Sequence, residues 1–224
     1  MTRVSALVPA RDEAERIAAT VAAVAGLPGV ERVLVVDDAS GDATGEVALA
    51  AGAAVIRLGR RLGKGGAMEA GLRRGAAADV WLLVDGDLGE TAGALAPVLD
   101  EVIEGRAELA IALPPPQEGG GFGLVKGFAA WAIRVACGFE SAAPLSGQRA
   151  IGAAALDACR PLAAGFGVET AMTIDAVRAG FRVVEVPAPI RHRPTGRGLR
   201  GFAHRARQGL AIAAALAPRL SRMR

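Results

Sequence analysis

Two aspartates one residue apart, Asp85 and Asp87, close the apolar run at 80–84 and give the chain its sharpest chemical signal. Carboxylates at i and i+2 of an extended segment point the same way, so both can reach one cation or its waters. Ligation by oxygen alone suits Mg2+ or Mn2+, which can bridge a diphosphate and neutralise the charge that develops as it departs. The same tripeptide also fits a capped turn ahead of a helix. Two further charged clusters end apolar runs: Pro9-Ala10-Arg11-Asp12-Glu13 follows 4–8, and Asp37-Asp38 follows 33–36. A fourth segment, Gly63-Lys64-Gly65-Gly66, opens a helical stretch. Its glycines allow close backbone approach, and a lysine at a helix N-terminus favours phosphate. It is not a P-loop, because Gly59 is one residue too close and Gly65 stands where Ser or Thr must hold magnesium. No dinucleotide fingerprint follows the first apolar run.

The elements that must position these residues alternate along the chain. Strands are expected at 4–8, 33–36, 53–58, 80–84 and 108–113, with a late one at 183–186. Helices are expected between them: from Asp12, as N-cap, to Ala25, after a cap at Ser40 or Asp42, over 64–77 and over 91–104, then over 125–137 and 167–179. This order predicts an α/β fold with a largely parallel sheet between two helical layers. Ligands of such sheets sit beyond the carboxyl ends of the strands, where the three acidic clusters fall. The stretch 114–123, PPPQEGGGFG, reads as a connection or as a loop over the site.

VPARDE, VVDDASGD, GKGGA and VDGD, in this order and spacing, resemble the family 2 glycosyltransferases near the dolichyl-phosphate mannose synthase branch. The resemblance spans about 4–187 and implies a GT-A fold, a nucleotide-diphosphate sugar (UDP- or GDP-) as donor, and Mg2+ or Mn2+ as cofactor. By it, Pro9, Arg11 and Glu13 line the nucleotide pocket, Asp38 contacts the base, and Lys64 faces the nucleotide or its phosphates. Asp85 and Asp87 flank the diphosphate and metal. The second half is similar to the glucosyl-3-phosphoglycerate synthases through Pro144-Leu145-Ser146-Gly147, GFGVET and His192-Arg193. That likeness makes His192 a candidate third metal ligand (a solvated or phosphate-contacting histidine is the other reading), places Glu169 beside the acceptor as base or positioning group, and puts Arg193 at an acceptor phosphate. A helix-dipole carboxylate is the other reading of Glu169. Ser146-Gly147-Gln148-Arg149 resembles the Ser-Gly-Phe-Arg of the lipid-phosphate enzymes, so Arg149 is expected to face a phosphate; their preceding Asp is Ala143 here.

Together these imply hexose transfer to a phosphate-bearing acceptor, with polyprenyl phosphate first and a soluble one such as 3-phosphoglycerate second. A non-catalytic sugar-nucleotide binder is a third reading, against which the intact Asp-x-Asp speaks. A nucleotidyltransferase would need a Gly-rich loop where VPARDE stands.

At 224 residues, with 52% hydrophobic and 22% charged residues, the chain fits one globular unit, 1–190, completed by a basic tail, 191–224. The two cysteines, Cys137 and Cys159, have no metal-type spacing and suit free thiols in a reducing cytoplasm. No signal peptide and no membrane-length apolar run are visible. Nine arginines and no acid follow Glu185, leaving 17 basic against 23 acidic residues up to and including it. Such asymmetry predicts an anionic partner for the tail. Leu199, Phe202, Ala206, Leu210, Ala213 and Ala217 recur at helical spacing there. An inner membrane face is one candidate surface, and packing of the stripe against the domain with the arginines solvated is the other reading; nucleic acid is not favoured, since tyrosine is absent and no aromatics interleave the arginines.

Overall fold

The strands are apolar on both faces because helices cover both. In β1 (Val4–Ala10), Val4, Ala6, Leu7 and Val8 are all fully buried, as a doubly covered parallel strand requires. The computed structural model describes residues 2–116 and 123–191, together with 214 and 219. After β1 come α1 (Ile17–Ala25), β2 (Val30–Asp37), α2 (Thr44–Ala50), β3 (Ala54–Arg57), α3 (Gly63–Arg74) and β4 (Val80–Leu83). A 3-10 turn, Gly89–Leu95, then runs into α4 (Ala96–Ile103), followed by β5 (Leu109–Leu113) and α5 (Gly123–Cys137). The chain continues through β6 (Arg149–Gly152), α6 (Ala153–Ala158), a short 3-10 turn, α7 (Val168–Arg178) and β7 (Val183–Pro187).

The seven strands lie in the order β3-β2-β1-β4-β6-β5-β7. β1 pairs in parallel with β2 on one side and β4 on the other, so strand order reverses at β1. Such a reversal opens the crevice in which α/β sheets hold ligands. β6 runs antiparallel to both β4 and β5, while β5 and β7 are again parallel.

Side chains of β1 alternate between two cores. Val4, Ala6 and Val8 pack with Ile17 and Val21 of α1 and Leu99 of α4. Leu7 packs on the other face with Met68 of α3, Leu83 of β4 and Met172 of α7. A third, small cluster joins Ala132 and Ile133 of α5 to Ile174 of α7.

Several expectations need correction. Asp12 does not cap α1, which begins at Ile17 after Arg16. It takes a left-handed φ of 56° and its carboxylate accepts from Gly41 N at 2.7 Å. Segment 91–104 is a 3-10 turn followed by a shorter α-helix with Pro97 in its first turn. β6 and α6 were not anticipated. Four-residue β6 runs directly into six-residue α6, too short a window for either periodicity to show. The expected helical stripe of the tail, with His192 and Arg193, lies outside the described residues. Among the described residues no helix is long and apolar enough to cross a membrane.

Candidate active site

Three loops at the carboxyl ends of β1, β2 and β4 are stitched into one floor. The first two are joined by backbone donors: Asp12 N donates to Ser40 Oγ at 3.1 Å, Glu13 N to Thr44 Oγ1 at 2.8 Å and Ala14 N to Asp42 Oδ2 at 3.2 Å. Asp42 also accepts from Thr44 N at 3.0 Å, which anchors the start of α2. Thr20, fully buried on α1, fastens the third loop: its hydroxyl donates to Gly86 O at 2.9 Å and accepts from Gly89 N at 2.8 Å. Arg16 Nη1 donates to Asp87 O at 3.2 Å. The turn between the two metal-type carboxylates is therefore held from α1, and Asp85 and Asp87 are both half-buried.

A second set of contacts reaches across the sheet. Lys64 Nζ lies 2.5 Å from Asp85 Oδ1 and 2.6 Å from Glu169 Oε1. Burial alone would lower the Lys64 pKa, but the charges of Asp85 and Glu169, and their hydrogen bonds, outweigh it and raise the pKa above the ordinary lysine value. Gln148 Nε2 donates to Asp85 Oδ2 at 2.7 Å from a fully buried side chain. Gly147 makes room for this cluster: a Cβ there would stand 2.3 Å from Lys64 Nζ and 2.6 Å from Asp85 Oδ2. Gly65 does the same for α3, since a Cβ would fall 1.9 Å from Ala163 O. Ion pairing of Glu69 with Arg160, Nη2 to Oε1 at 2.8 Å, fixes that crossing.

The segment bearing Gly147 and Gln148 is clamped by Glu185 of β7. Its carboxylate accepts from Ser141 Oγ at 2.6 Å and from Ala142 N and Ala143 N at 2.9 Å each. The site can thus offer oxygen ligands from β4, an ammonium from α3 and a carboxylate from α7 within one connected network.

Comparison with known proteins identifies the family. The glycosyl transferase family 2 matches residues 5–136, more than half of the chain. The chain belongs to that family. It is a glycosyltransferase, and its seven-stranded sheet flanked by helices is the GT-A fold. The crystal structure of glucosyl-3-phosphoglycerate synthase from Mycobacterium tuberculosis in complex with Mg2+ and UDP superposes with a TM-score of 0.82 at 24% identity, covering 98% of this chain and 80% of that one. The same enzyme with Mn2+, UDP-glucose and phosphoglyceric acid gives a TM-score of 0.80 at 24% identity and the same coverage. A mycobacterial protein of unspecified activity gives 0.81 at 27% identity, over 98% of this chain and 75% of that one. No curated protein matches the glycosyltransferase in sequence.

The structure brings Lys64, Asp85 and Glu169 together, with Asp87 two positions beyond Asp85, while Pro9 lies near the end of β1 and Arg11 and Glu13 on the loop that follows it. Arg11 Nε pairs with Asp12 at 3.2 Å. Two residues depart from expectation. Asp38, expected at the base, is buried, and its carboxylate accepts from Leu62 N at 2.6 Å and Gly63 N at 2.8 Å, so it anchors the entry to α3. Arg149, expected to face a phosphate, is only 1% exposed and lies beneath the site. Its guanidinium donates to Ser146 O at 2.8 Å and Thr173 Oγ1 at 2.9 Å, and burial lowers its pKa to about 10. β6 turns that side chain inward against α7, which the isolated tetrapeptide could not reveal.

Thr20, Gln148 and Glu185 were not singled out from the sequence. Glu185 had a legible signal, an acid inside the apolar run VVEVP. Thr20, one threonine in an alanine-rich helix, had none.

Proposed function

We propose that this glycosyltransferase moves a hexose from a uridine-diphosphate sugar to a small phosphorylated acceptor, with Mg2+ or Mn2+ as cofactor. The observation that carries the reading is the bridge through Lys64, which joins Asp85 after β4 to Glu169 at the start of α7. One cation thereby links the carboxylates assigned to the donor side and the acceptor side. Support comes from the tuberculosis synthase, crystallised with Mn2+, UDP-glucose and phosphoglyceric acid, and also with Mn2+, UDP and glucosyl-3-phosphoglycerate. Those complexes favour a soluble phosphate ester over polyprenyl phosphate, and Ala143 in place of the lipid enzymes' Asp agrees.

Asp87 and Asp85 fit a hard divalent cation. Both are carboxylates on one short turn, and Mg2+ is commonly held by one or two such groups plus substrate phosphates. Among the described residues no group of three or more candidate metal ligands occurs, so further positions fall to diphosphate, water or His192. His192 is the next residue after Arg191, whose backbone N donates to Thr91 Oγ1 at 3.2 Å, four residues past Asp87. A bound metal would neutralise charge on the departing diphosphate.

The chain's own residues do the rest. Pro9, Arg11 and Glu13 line the nucleotide side, and Asp38 shapes it by fixing the start of α3. Lys64 counters the charge of Asp85 and Glu169 and is within reach of an incoming phosphate. Glu169 positions the acceptor hydroxyl or takes its proton. Arg193 meets the acceptor phosphate, and Arg149 supports Glu169 and Asp85 from below rather than touching substrate.

Thermal unfolding with UDP, UDP-glucose, GDP and GDP-mannose, each with and without Mn2+, tests the donor. The largest rise in Tm is expected for UDP-glucose or UDP with Mn2+. Equal shifts for the guanosine pair, or shifts indifferent to metal, would sink the reading.

A further inference from the structure

Helix α5 is apolar on two sides. Ala129, Ala132, Ile133 and Ala136 face inward, three of them clustered with Ile174 of α7. Outside, Leu124, Phe128, Trp131 and Val135 are exposed by 91, 40, 49 and 38%. Their spacing of four, three and four residues is that of a helix–helix seam. Scattered exposed hydrophobics are ordinary, whereas a contiguous stripe marks a contact surface. The rings of Phe128 and Trp131 stack with centroids 5.9 Å apart, so the centre of the stripe is already ordered.

We propose that this face of α5 pairs with the same face of a second copy of the chain, the two helices antiparallel about a two-fold axis. The order of the stripe argues for that occupant. Reversed about its midpoint between Phe128 and Trp131, it sets Leu124 against Val135 of the partner subunit, and Phe128 against Trp131 of the partner subunit. Aliphatic meets aliphatic and aromatic meets aromatic. An isologous contact demands this self-complementarity, and an unrelated partner does not. Gly127 borders the seam, and a Cβ there would meet nothing within 4 Å, so packing inside the chain does not require glycine. Glycine in a helix interior is unfavourable. Bare backbone at that point instead lets a second helix approach closely.

The exposed charges of α5, Lys126 and Arg134, lie off the stripe and leave its centre apolar. Four side chains make a modest seam, below the ~800 Å2 per partner of a stable interface. Weak, concentration-dependent association is therefore expected. Pairing would also steady the segment after α5, which Glu185 clamps and which carries Gly147 and Gln148 to Asp85.

The experiment is sedimentation velocity on the full chain from about 1 to about 100 μM, repeated for Phe128→Ser/Trp131→Ser and for Leu124→Arg. Leu124 is nearly fully exposed, so its replacement keeps the test valid should the double variant fold poorly. Expected is a monomer–dimer equilibrium in the full chain, with the dissociation constant raised at least tenfold in each folded variant. A monomer throughout the range overturns the proposal. So does a dimer that Leu124→Arg leaves unchanged. A parallel arm adds phosphatidylglycerol vesicles: a monomer that binds them through the stripe, with binding lost in the variants, would show the face to be a lipid contact and overturn the pairing.

Discussion

The two halves of this glycosyltransferase's candidate site, proposed above as its donor and acceptor sides, are built differently. From β1 to β4 the site is held by short loops whose carboxylates and hydroxyls accept backbone N–H groups a loop away, as Asp12, Asp38, Asp42 and Thr44 do. Past β5 it is held by side chains reaching across the fold: Gln148 to Asp85, Arg149 to Thr173, Glu185 to 141–143. Loop-to-loop bonding spreads the β1–β4 floor over several contacts, so the loss of one side chain is expected to disturb it little. Long-range pairing is expected to make the half past β5 more dependent on single residues, and Lys64 is where the halves meet.

The largest effect is expected on the donor side. Asp87→Ala should lower metal-dependent turnover on the order of a thousandfold, the scale of a lost Lewis acid, while the Tm stays near that of the parent. Retained activity in excess chelator would break the assignment. At the junction, Lys64→Met leaves Asp85 and Glu169 facing each other in a largely buried setting. Breaking one partner out of such a group costs about 3–5 kcal/mol, and the denaturation midpoint should fall accordingly. Adding Glu169→Gln should recover part of that loss; if the double variant is no better, the bridge is not what joins the halves.

Smaller effects separate the two designs. Gly147→Ala forces a methyl against Lys64 and Asp85, and about 1–3 kcal/mol of overpacking cost is expected. Glu185→Gln weakens three charge-assisted bonds; a loss of ~1–3 kcal/mol should accompany a larger change in acceptor KM than in donor KM. A pH effect is the smallest. Burial would raise the pKa of Glu69, but hydrogen bonds from Arg160, Leu162 N and Arg73 outweigh it and lower the carboxyl below its ordinary 4.5. Its contribution is complete above that value and is lost as pH falls through the lowered one. Glu69→Gln should therefore flatten the acid limb of stability below about pH 4.5, measured by chemical denaturation.

The same contrast explains what the sequence made legible. The β1–β4 half announces itself through apolar runs that end in acidic clusters, because local turn chemistry and strand period act over a few residues. Asp85, Asp87 and Lys64 could be chosen on that basis. Arg149 could not be assigned correctly, since its surroundings depend on β6 being antiparallel, a choice made by β4 and β5 and not by Ser146-Gly147-Gln148-Arg149. Asp38 shows a subtler limit: a carboxylate after a strand looks alike whether it receives a ligand or the backbone of the next helix.

One measurement tests the central claim most directly. The full chain is incubated with UDP-glucose, 3-phosphoglycerate and Mn2+, and the phosphorylated products are weighed by mass spectrometry, with a chelator control and a polyprenyl phosphate arm. The account predicts 3-phosphoglycerate, or a close phosphate ester offered in its place, gaining one hexose, with no gain in chelator. A hexose appearing only on the polyprenyl phosphate, or on the small acceptor regardless of chelator, would contradict it.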